Sequence, residues 1–203
     1  MIEVHHLKES RSRRITWMLE ELGLDYTVIS YDRDPSTRLA PPELKLIHPL
    51  GKAPVLRDQD MVLIESGAIL DYLITQYGQG RFVPAAGTPD YYRYVQFMHY
   101  AEGSAMLPLL LKLYVGRLGA AGAPLHPRIH SEIANHLGYL DAELNGRDFF
   151  VGQELSGADV QLSFVAQLGV RNGGREAFPN LSRFVDMIEA RPAYQRAVAK
   201  NGE

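Results

Sequence analysis

Hydrophobic residues recur with two different spacings along the start of the chain, and they predict a strand, a helix and a second strand. Residues 2–7 and 26–31 are short runs of the residue types that favour β-structure. Between them, the apolar residues of segment 12–22 are spaced i, i+3, i+4, i+7, as on one face of a helix, and Gly23 follows where a helix ends. A β-α-β order predicts two parallel strands joined by a right-handed crossover.

The pattern then predicts a hairpin and a further helix. Residues 32–47 are polar and rich in proline, with one short helix expected at 42–47. Two short apolar runs, 54–56 and 61–64, flank a polar tetrapeptide, and a helix is expected over 66–77. The order β-α-β-(short α)-β-β-α predicts that residues 1–80 form an α/β thioredoxin-like domain with a mixed sheet of four strands.

The remaining pattern is helical. Three glycines and two prolines crowd residues 78–89, which is the composition of a linker, and we expect the linker at 81–89. Beyond it we expect an all-α C-terminal domain, residues 90–203, with a first long helix that Pro108 should kink. The further helices are expected at 127–144, at 156–170 and at 181–199, the last interrupted by Pro192.

One helix start in this domain has a recognisable capping pattern. Ser156 and Asp159 have the spacing of a capping box, in which the side chains and backbone N–H groups of the two residues satisfy each other. Leu155 and Val160 are spaced as a hydrophobic staple. We interpret this motif as fold-stabilising, without a role in function.

Composition and charge narrow the possible functions. The 203 residues are 46% hydrophobic and 22% charged, with a formal net charge of −3 and dispersed basic residues, so nothing favours a nucleic-acid partner. Neither a membrane-spanning run nor a signal peptide is evident, and we expect a cytoplasmic protein. The chain has no cysteine, so any thiol chemistry must take its sulfur from a small molecule. We expect no metal site.

The most informative stretch is residues 48–56, with the sequence HPLGKAPVL. Pro54 enters a short strand, where proline is tolerated only at a start or an edge. If its peptide bond is cis, the N–H and C=O of Ala53 point outward, and an extended peptide ligand can pair with them as a further strand would. Lys52 is placed to meet a terminal carboxylate of such a ligand.

The second part of the pattern lies at residues 65–69, with the sequence ESGAI. Ser66 begins a helix, so its hydroxyl, its backbone N–H and the helix dipole favour a bound carboxylate. Glu65 can accept an ammonium group. A peptide with two carboxylates and one free amine fits both ends, and glutathione is such a peptide. Taken singly, these residues could instead be a helix cap, a solvated charge and a rigid turn, but their order and spacing favour the glutathione pocket.

At this point the sequence resembles the cytosolic glutathione transferases, in particular a serine-type subgroup shared by bacteria and fungi. The resemblance covers essentially the whole chain. It is carried by segments 10–14 (SRSRR), 17–24 (WMLEELGL), 40–45 (APPELK), 48–56, 65–69 and 155–159 (LSGAD). It implies the glutathione transferase fold, a homodimer, and attack of the glutathione thiolate on a hydrophobic electrophile or a peroxide.

The resemblance also implies how the sulfur is activated. Members of the superfamily lower the pKa of the glutathione thiol, and a shift of about two units requires about 2.7 kcal/mol of preferential thiolate stabilisation. The activating group is a tyrosine, a cysteine or a serine. Ser10, four residues before Arg14, matches the serine types, and Ser12 is the rival, although Ser12 can equally be the N-cap of the helix. We expect His5 and His6 to alternate across the strand, one buried and one exposed, without a catalytic role.

Three further expectations follow from the resemblance. Arg38 takes the place of a carboxylate-binding residue of relatives, and Glu102 is the candidate for an acidic residue that relatives receive from the partner subunit. The electrophile pocket should draw on Met106, Leu107, Leu110 and Tyr114, which are equally consistent with packing. A glutathione-dependent disulfide reductase or peroxidase and a non-enzymatic binding module stay open as alternatives.

Overall fold

The computed structural model describes residues 1–202, and contacts divide the chain into two compact units. The first unit comprises Met1–Arg81 together with the chain from Glu189 onward, and the second comprises Phe82–Ile188. None of the helices in the described part is long and apolar enough to cross a membrane.

A four-stranded mixed sheet forms the centre of the first unit. Its strands are β1 (Ile2–Leu7), β2 (Tyr26–Tyr31), β3 (Val55–Asp58) and β4 (Met61–Leu63), in the spatial order β2-β1-β3-β4. β1 runs parallel to β2 and antiparallel to β3, and β3 and β4 are antiparallel neighbours. The predicted thioredoxin-like order of strands and helices is confirmed.

Both histidines of β1 are buried, so the expectation that one of them is exposed was wrong. His5 is 1% exposed and His6 is 0% exposed. The two side chains do point to opposite faces, as successive residues of a strand must. β1 is an interior strand of the sheet, however, and both of its faces are covered, which is typical of a parallel pair with a helical crossover.

Three helices of this unit pack in its core. They are α1 (Arg13–Leu22), which ends at Gly23 with the left-handed φ of 71°, α3 (Ser66–Tyr77) and α9 (Pro192–Asn201). A short helix, α2 (Leu44–Ile47), lies in the polar segment between β2 and β3. α1 contacts both α3 and α9. The face of α1 that includes Trp17 is fully buried.

The second unit is helical. Its helices are α4 (Pro89–Tyr100), α5 (Met106–Gly116), α6 (His126–Glu143), α7 (Gly157–Gly173) and α8 (Pro179–Glu189), whose last residue falls at the unit boundary. A 3₁₀ segment, Gly119–Leu125, joins α5 to α6. No strand occurs among the described residues after residue 80, as the sequence pattern predicted.

The predicted first long helix is interrupted before Pro108. One turn of π-helix, Ala101–Ala105, separates α4 from α5. Proline has no N–H for the carbonyl four residues earlier, Ser104, and its ring crowds that carbonyl. Widening the preceding turn relieves this conflict, so the irregularity lies N-terminal to the proline.

The capping box at the start of α7 is confirmed. Asp159 is fully buried, and one of its carboxylate oxygens accepts hydrogen bonds from the Ser156 backbone N–H (2.8 Å) and hydroxyl (2.6 Å). The other oxygen accepts the backbone N–H of Phe150 at 2.8 Å. Asp159 therefore ties the loop before α7 to the helix.

Candidate functional site

The turn that follows β1, residues 8–12, contains two serines whose hydroxyl groups are hydrogen-bonded to each other, and we call it the serine turn. The Oγ atoms of Ser10 and Ser12 are 2.7 Å apart, and the backbone N–H of Ser12 donates to the Ser10 Oγ at 3.2 Å. The Ser12 Oγ also lies 2.8 Å from Nδ1 of His6 and 3.4 Å from the carbonyl oxygen of Leu7. The three polar side chains form a short chain that runs from β1 to the start of α1.

Ser12 does not cap α1, contrary to one of its two interpretations. It stands at the N-cap position but has helical dihedral angles, and its hydroxyl makes no capping hydrogen bond. The hydroxyl instead faces His6 and Ser10. Ser12 is completely buried, whereas Ser10 is 7% exposed.

An arginine from the segment after β2 also holds this turn in place. The guanidinium of Arg33 donates to the carbonyl oxygens of Lys8, Glu9 and Arg38, each at 3.0 Å. Arg38 itself forms an ion pair with Glu9. These contacts fix the backbone that leads into Ser10, and they place Arg38 beside the serine turn.

The start of α3 is built around a buried hydroxyl. Ser66 is the first residue of the helix and is 4% exposed. Its Oγ accepts a hydrogen bond from Nη1 of Arg14 at 3.0 Å, and Arg14 is itself 2% exposed. A guanidinium, a hydroxyl and the N-terminal end of a helix therefore meet at one point, which is a favourable environment for an anion.

Glu65 precedes this helix start in a left-handed conformation. Its φ of 66° and ψ of 112° are unusual for a residue with a side chain. The side chain is exposed, and its backbone carbonyl accepts the N–H of Ile69 at 2.9 Å.

The segment before β3 lies near the same end of β1. The Ala53–Pro54 peptide bond is cis, and Lys52 is exposed. Val55 pairs with His5 in the antiparallel ladder, so Pro54 lies one residue further toward the end of β1 that leads to Ser10. Pro54 is thus connected to the serine turn through the end of β1, and Ser66 is connected to α1 through Arg14.

The residues named for the second unit lie around the π-helical turn. Glu102 is half-buried within it, and Met106 belongs to the core of this unit. Leu107 and Tyr114 are exposed on α5, 55% and 57% respectively, and Leu110 is half-buried. Within residues 1–202, no three metal-ligating side chains are grouped as a metal site would require.

Comparison with known proteins agrees with this architecture. Residues 1–75 match the family model of the glutathione S-transferase N-terminal domain, and residues 104–192 match that of the C-terminal domain. The chain belongs to the glutathione S-transferase family. Its predicted fold class, a thioredoxin-like domain followed by an all-helical domain, is the fold of that family.

Individual glutathione S-transferases resemble the chain over nearly its whole length. It is 32% identical to glutathione S-transferase 3 of Schizosaccharomyces pombe, over 98% of this chain and 88% of that protein. A crystal structure from Actinobacillus pleuropneumoniae superposes with a TM-score of 0.92 at 38% identity and covers 100% of this chain and 93% of that chain. A family member from Pseudomonas fluorescens, solved with two glutathione molecules bound, gives 0.83 at 25% identity and covers 97% and 92%.

Two features of this candidate site could not be predicted from local sequence patterns. The contact of His6 with Ser12 joins residues six apart across a turn, and no local spacing rule indicates it. Alternation along the strand did predict that the two histidines lie on opposite faces of the sheet. This alternation was the sequence signal that one of them could face α1. The three contacts of Arg33 with backbone carbonyls have no sequence signature.

Proposed function

We propose that the chain is a glutathione transferase that uses glutathione as co-substrate, with Ser10 activating its thiol. The observation that carries this proposal is that a serine hydroxyl lies just before α1, while an arginine in the first turn of α1 is hydrogen-bonded to the start of α3. Ser10 offers a hydroxyl three residues before the helix begins, and Arg14, in the first turn of the helix, donates a hydrogen bond to the Ser66 hydroxyl at the start of α3. The proposed thiol activator and the proposed carboxylate-binding residues belong to the same compact unit.

The binding roles follow from the chemistry of each group. Ser66 and the N-terminus of α3 would bind one glutathione carboxylate, and Glu65 would accept the ammonium group. Lys52 would pair with the carboxylate at the other end, and the backbone of Ala53, which precedes Pro54, would pair with the cysteinyl amide. Lys52 is exposed, so its ammonium is accessible to a ligand, which supports this role.

Ser10 would stabilise the thiolate by donating a hydrogen bond to the sulfur. A hydrogen bond to a charged acceptor contributes about 1.5–3 kcal/mol, equivalent to about one to two pKa units. The sulfur then attacks an electrophilic carbon, an S–C bond forms, and a leaving group such as halide departs with its electron pair. The thiol proton passes to solvent. Ser10 retains some exposure whereas Ser12 has none, which favours Ser10 over its rival.

Reduction of a peroxide or disulfide is the second candidate. In peroxide reduction two glutathiones supply the electrons, so that a hydroperoxide gives an alcohol, water and glutathione disulfide. The two glutathione molecules bound to the Pseudomonas fluorescens family member favour testing it. We further propose that the protein is a cytosolic homodimer, as the resemblance implies.

The decisive experiment joins a binding titration to activity assays. We expect calorimetry to detect glutathione binding, and the ultraviolet absorbance of the thiolate to give a bound-thiol pKa below that of free glutathione. Ser10→Ala should raise this pKa by about one to two units. Assays with an aryl halide, an organic hydroperoxide and a mixed disulfide then assign the reaction.

Ser12→Ala is the matched control, because it removes the neighbouring hydroxyl. It should raise the thiol pKa less than Ser10→Ala does. Absence of binding at millimolar glutathione would overturn the proposal. A larger shift for Ser12→Ala than for Ser10→Ala would transfer the role to Ser12.

A further inference from the structure

In the serine turn, the hydroxyl proton of Ser10 can point either toward Ser12 or toward a ligand. One residue of β1, His6, determines which of these directions the proton takes. A serine hydroxyl has a single proton to donate and two lone pairs to accept. The Ser10 Oγ already accepts the backbone N–H of Ser12 at 3.2 Å and lies 2.7 Å from the Ser12 Oγ. If Ser10 donates to Ser12, it has no proton left for a ligand.

The two possible directions of the chain have opposite consequences. In the outward direction, the ring N–H at Nδ1 of His6 donates to Ser12, and Ser12 donates to Ser10. Ser10 then accepts two hydrogen bonds, and its proton must point elsewhere. In the inward direction, Ser12 donates to an unprotonated Nδ1, and Ser10 donates to Ser12. The hydrogen position on the His6 ring therefore decides whether Ser10 can act as a donor.

We propose that His6 is a positioning residue, which through Ser12 holds the Ser10 proton outward, toward the sulfur of bound glutathione. This inference rests on the proposed function of Ser10. His6 touches neither the sulfur nor the electrophile, so its effect passes through the two hydroxyl groups.

The contacts of His6 and Ser12 accommodate the outward direction. His6 lies in an interior strand and is 0% exposed, so its ring cannot turn away to solvent. When Nδ1 of His6 carries hydrogen and donates to Ser12 at 2.8 Å, two acceptors remain within reach of the Ser12 hydroxyl, the Ser10 Oγ at 2.7 Å and the Leu7 carbonyl oxygen at 3.4 Å. The shorter contact has the better distance for an O–H···O hydrogen bond, which directs the Ser12 proton to Ser10.

The inference predicts an unusual pattern among variants, read as the thiol pKa of bound glutathione. His6→Leu removes the ring donor, so Ser12 becomes free to accept the Ser10 proton, and the thiol pKa should rise by about one unit. His6→Asn keeps an N–H donor near the position of Nδ1 and should restore most of the shift. Removing the Ser12 hydroxyl from the His6→Leu variant leaves Ser10 without an inward acceptor.

The double variant His6→Leu/Ser12→Ala should therefore have a lower thiol pKa than His6→Leu alone, close to that of Ser12→Ala. A merely structural role of His6 predicts the reverse, since a second buried change would add to the damage. His5→Leu is the matched control. His5 is the adjacent histidine of the same strand, also buried, but its Nδ1 contacts the Tyr31 hydroxyl at 2.9 Å. This control should leave the thiol pKa at the parent value.

Two results would overturn the inference while leaving the proposed function intact. One is a thiol pKa for His6→Leu equal to that of the parent, in a protein where Ser10→Ala raises it. The other is a double variant at or above His6→Leu. If Ser10→Ala itself causes no shift, the proposed role of Ser10 fails first, which is a distinguishable outcome.

A measurement on the unaltered chain covers the case in which His6→Leu does not fold. Proton–nitrogen NMR of the ¹⁵N-labelled glutathione complex identifies which ring nitrogen of His6 carries hydrogen, and the spectrum of His6→Asn assigns the signal. We expect hydrogen on Nδ1. Hydrogen on Nε2 alone would overturn the inference.

Discussion

Glu65 adopts a backbone conformation that residues with a side chain rarely occupy, with φ 66° and ψ 112°. Such a conformation costs about 1–3 kcal/mol and persists where the surrounding structure enforces it. Here the residue stands directly before Ser66 and the start of α3, and its side chain is exposed. The strain is explained if the carboxylate at this position is needed for the ligand ammonium group.

We therefore predict that stability and binding separate at this residue. Glu65→Gly should relieve the strain, while the added flexibility of glycine in the unfolded chain offsets about 0.5–1 kcal/mol. Glu65→Gln keeps the strained backbone and removes only the charge. Urea denaturation should find Glu65→Gly more stable than Glu65→Gln by about 1 kcal/mol.

Both Glu65 variants should bind glutathione about tenfold or more weakly by calorimetry, because a charge-assisted hydrogen bond is lost in each. A glycine variant less stable than the glutamine variant would contradict the strain argument. Unchanged affinity in both would remove Glu65 from the proposed site.

The residue types of the site could be predicted from the sequence, but their mutual contacts could not. Lys52, Glu65 and Ser66 are predicted because a zwitterionic peptide requires opposite charges at separate positions. The hydrogen bond of Arg14 to Ser66 joins residues 52 positions apart, so it depends on how α1 packs against α3. The burial of both His5 and His6 likewise depends on the position of β1 within the sheet.

At the scale of elements, the capping box of α7 places a carboxylate in the core of the second unit. Burial is the main cause that raises the pKa of Asp159 to about 6 from its ordinary 3.8, although hydrogen bonds from Ser156 and Phe150 partly offset it. The carboxyl group of Asp159 therefore ionises at a lower pH in the unfolded chain than in the folded protein. The contribution of this group is thus complete below about pH 4 and is lost as the pH rises toward 6.

Asp159→Asn should remove this pH dependence, because an amide does not ionise. At low pH the side chain in the folded protein is a protonated carboxyl, whose hydroxyl oxygen can still accept a hydrogen bond, whereas the nitrogen of an amide cannot, so we expect the variant to be less stable than the parent at low pH. The unfolding free energy of the parent minus that of the variant should decrease by about 3 kcal/mol between pH 4 and pH 7. Urea denaturation at a series of pH values measures it. A difference that is constant with pH would show that Asp159 ionises alike in both states.

Local pattern predicted the elements well where local forces decide them. The bounds of β1 and β2 agree with the structure because alternating or continuous apolar runs and turn residues fix them. Pro108 indicated an irregular helix, but a missing N–H can be accommodated by a kink or by a wider turn. The π-helix at Ala101–Ala105 is the outcome, and the choice depends on packing around that turn.

At the scale of the molecule, the last helix returns to the first unit. We expected residues 90–203 to form one helical domain, and in the structure α9 contacts α1. Tyr194 packs edge to face on Trp17, with ring centroids 5.3 Å apart, and Asn201 donates to the Thr16 hydroxyl at 3.0 Å. Sequence periodicity shows that α9 has an apolar face but not which surface covers it. The position of α1, which includes Arg14 and follows Ser10, thus depends on its packing against α9.

A matched pair of substitutions on α9 tests this dependence. Ala197 is fully buried in the first unit, whereas Ala199, two residues later on the same helix, is exposed. Ala197→Asn should lower the unfolding free energy by about 3 kcal/mol, because it overpacks the core and buries an amide without a partner. Ala199→Asn should change it by at most about 0.5 kcal/mol.

Local loosening of α1 should also weaken glutathione binding in Ala197→Asn and not in Ala199→Asn. Calorimetry and urea denaturation of both proteins measure the two effects together. Equal affinities despite the expected loss of stability would show that α1 holds the site without α9.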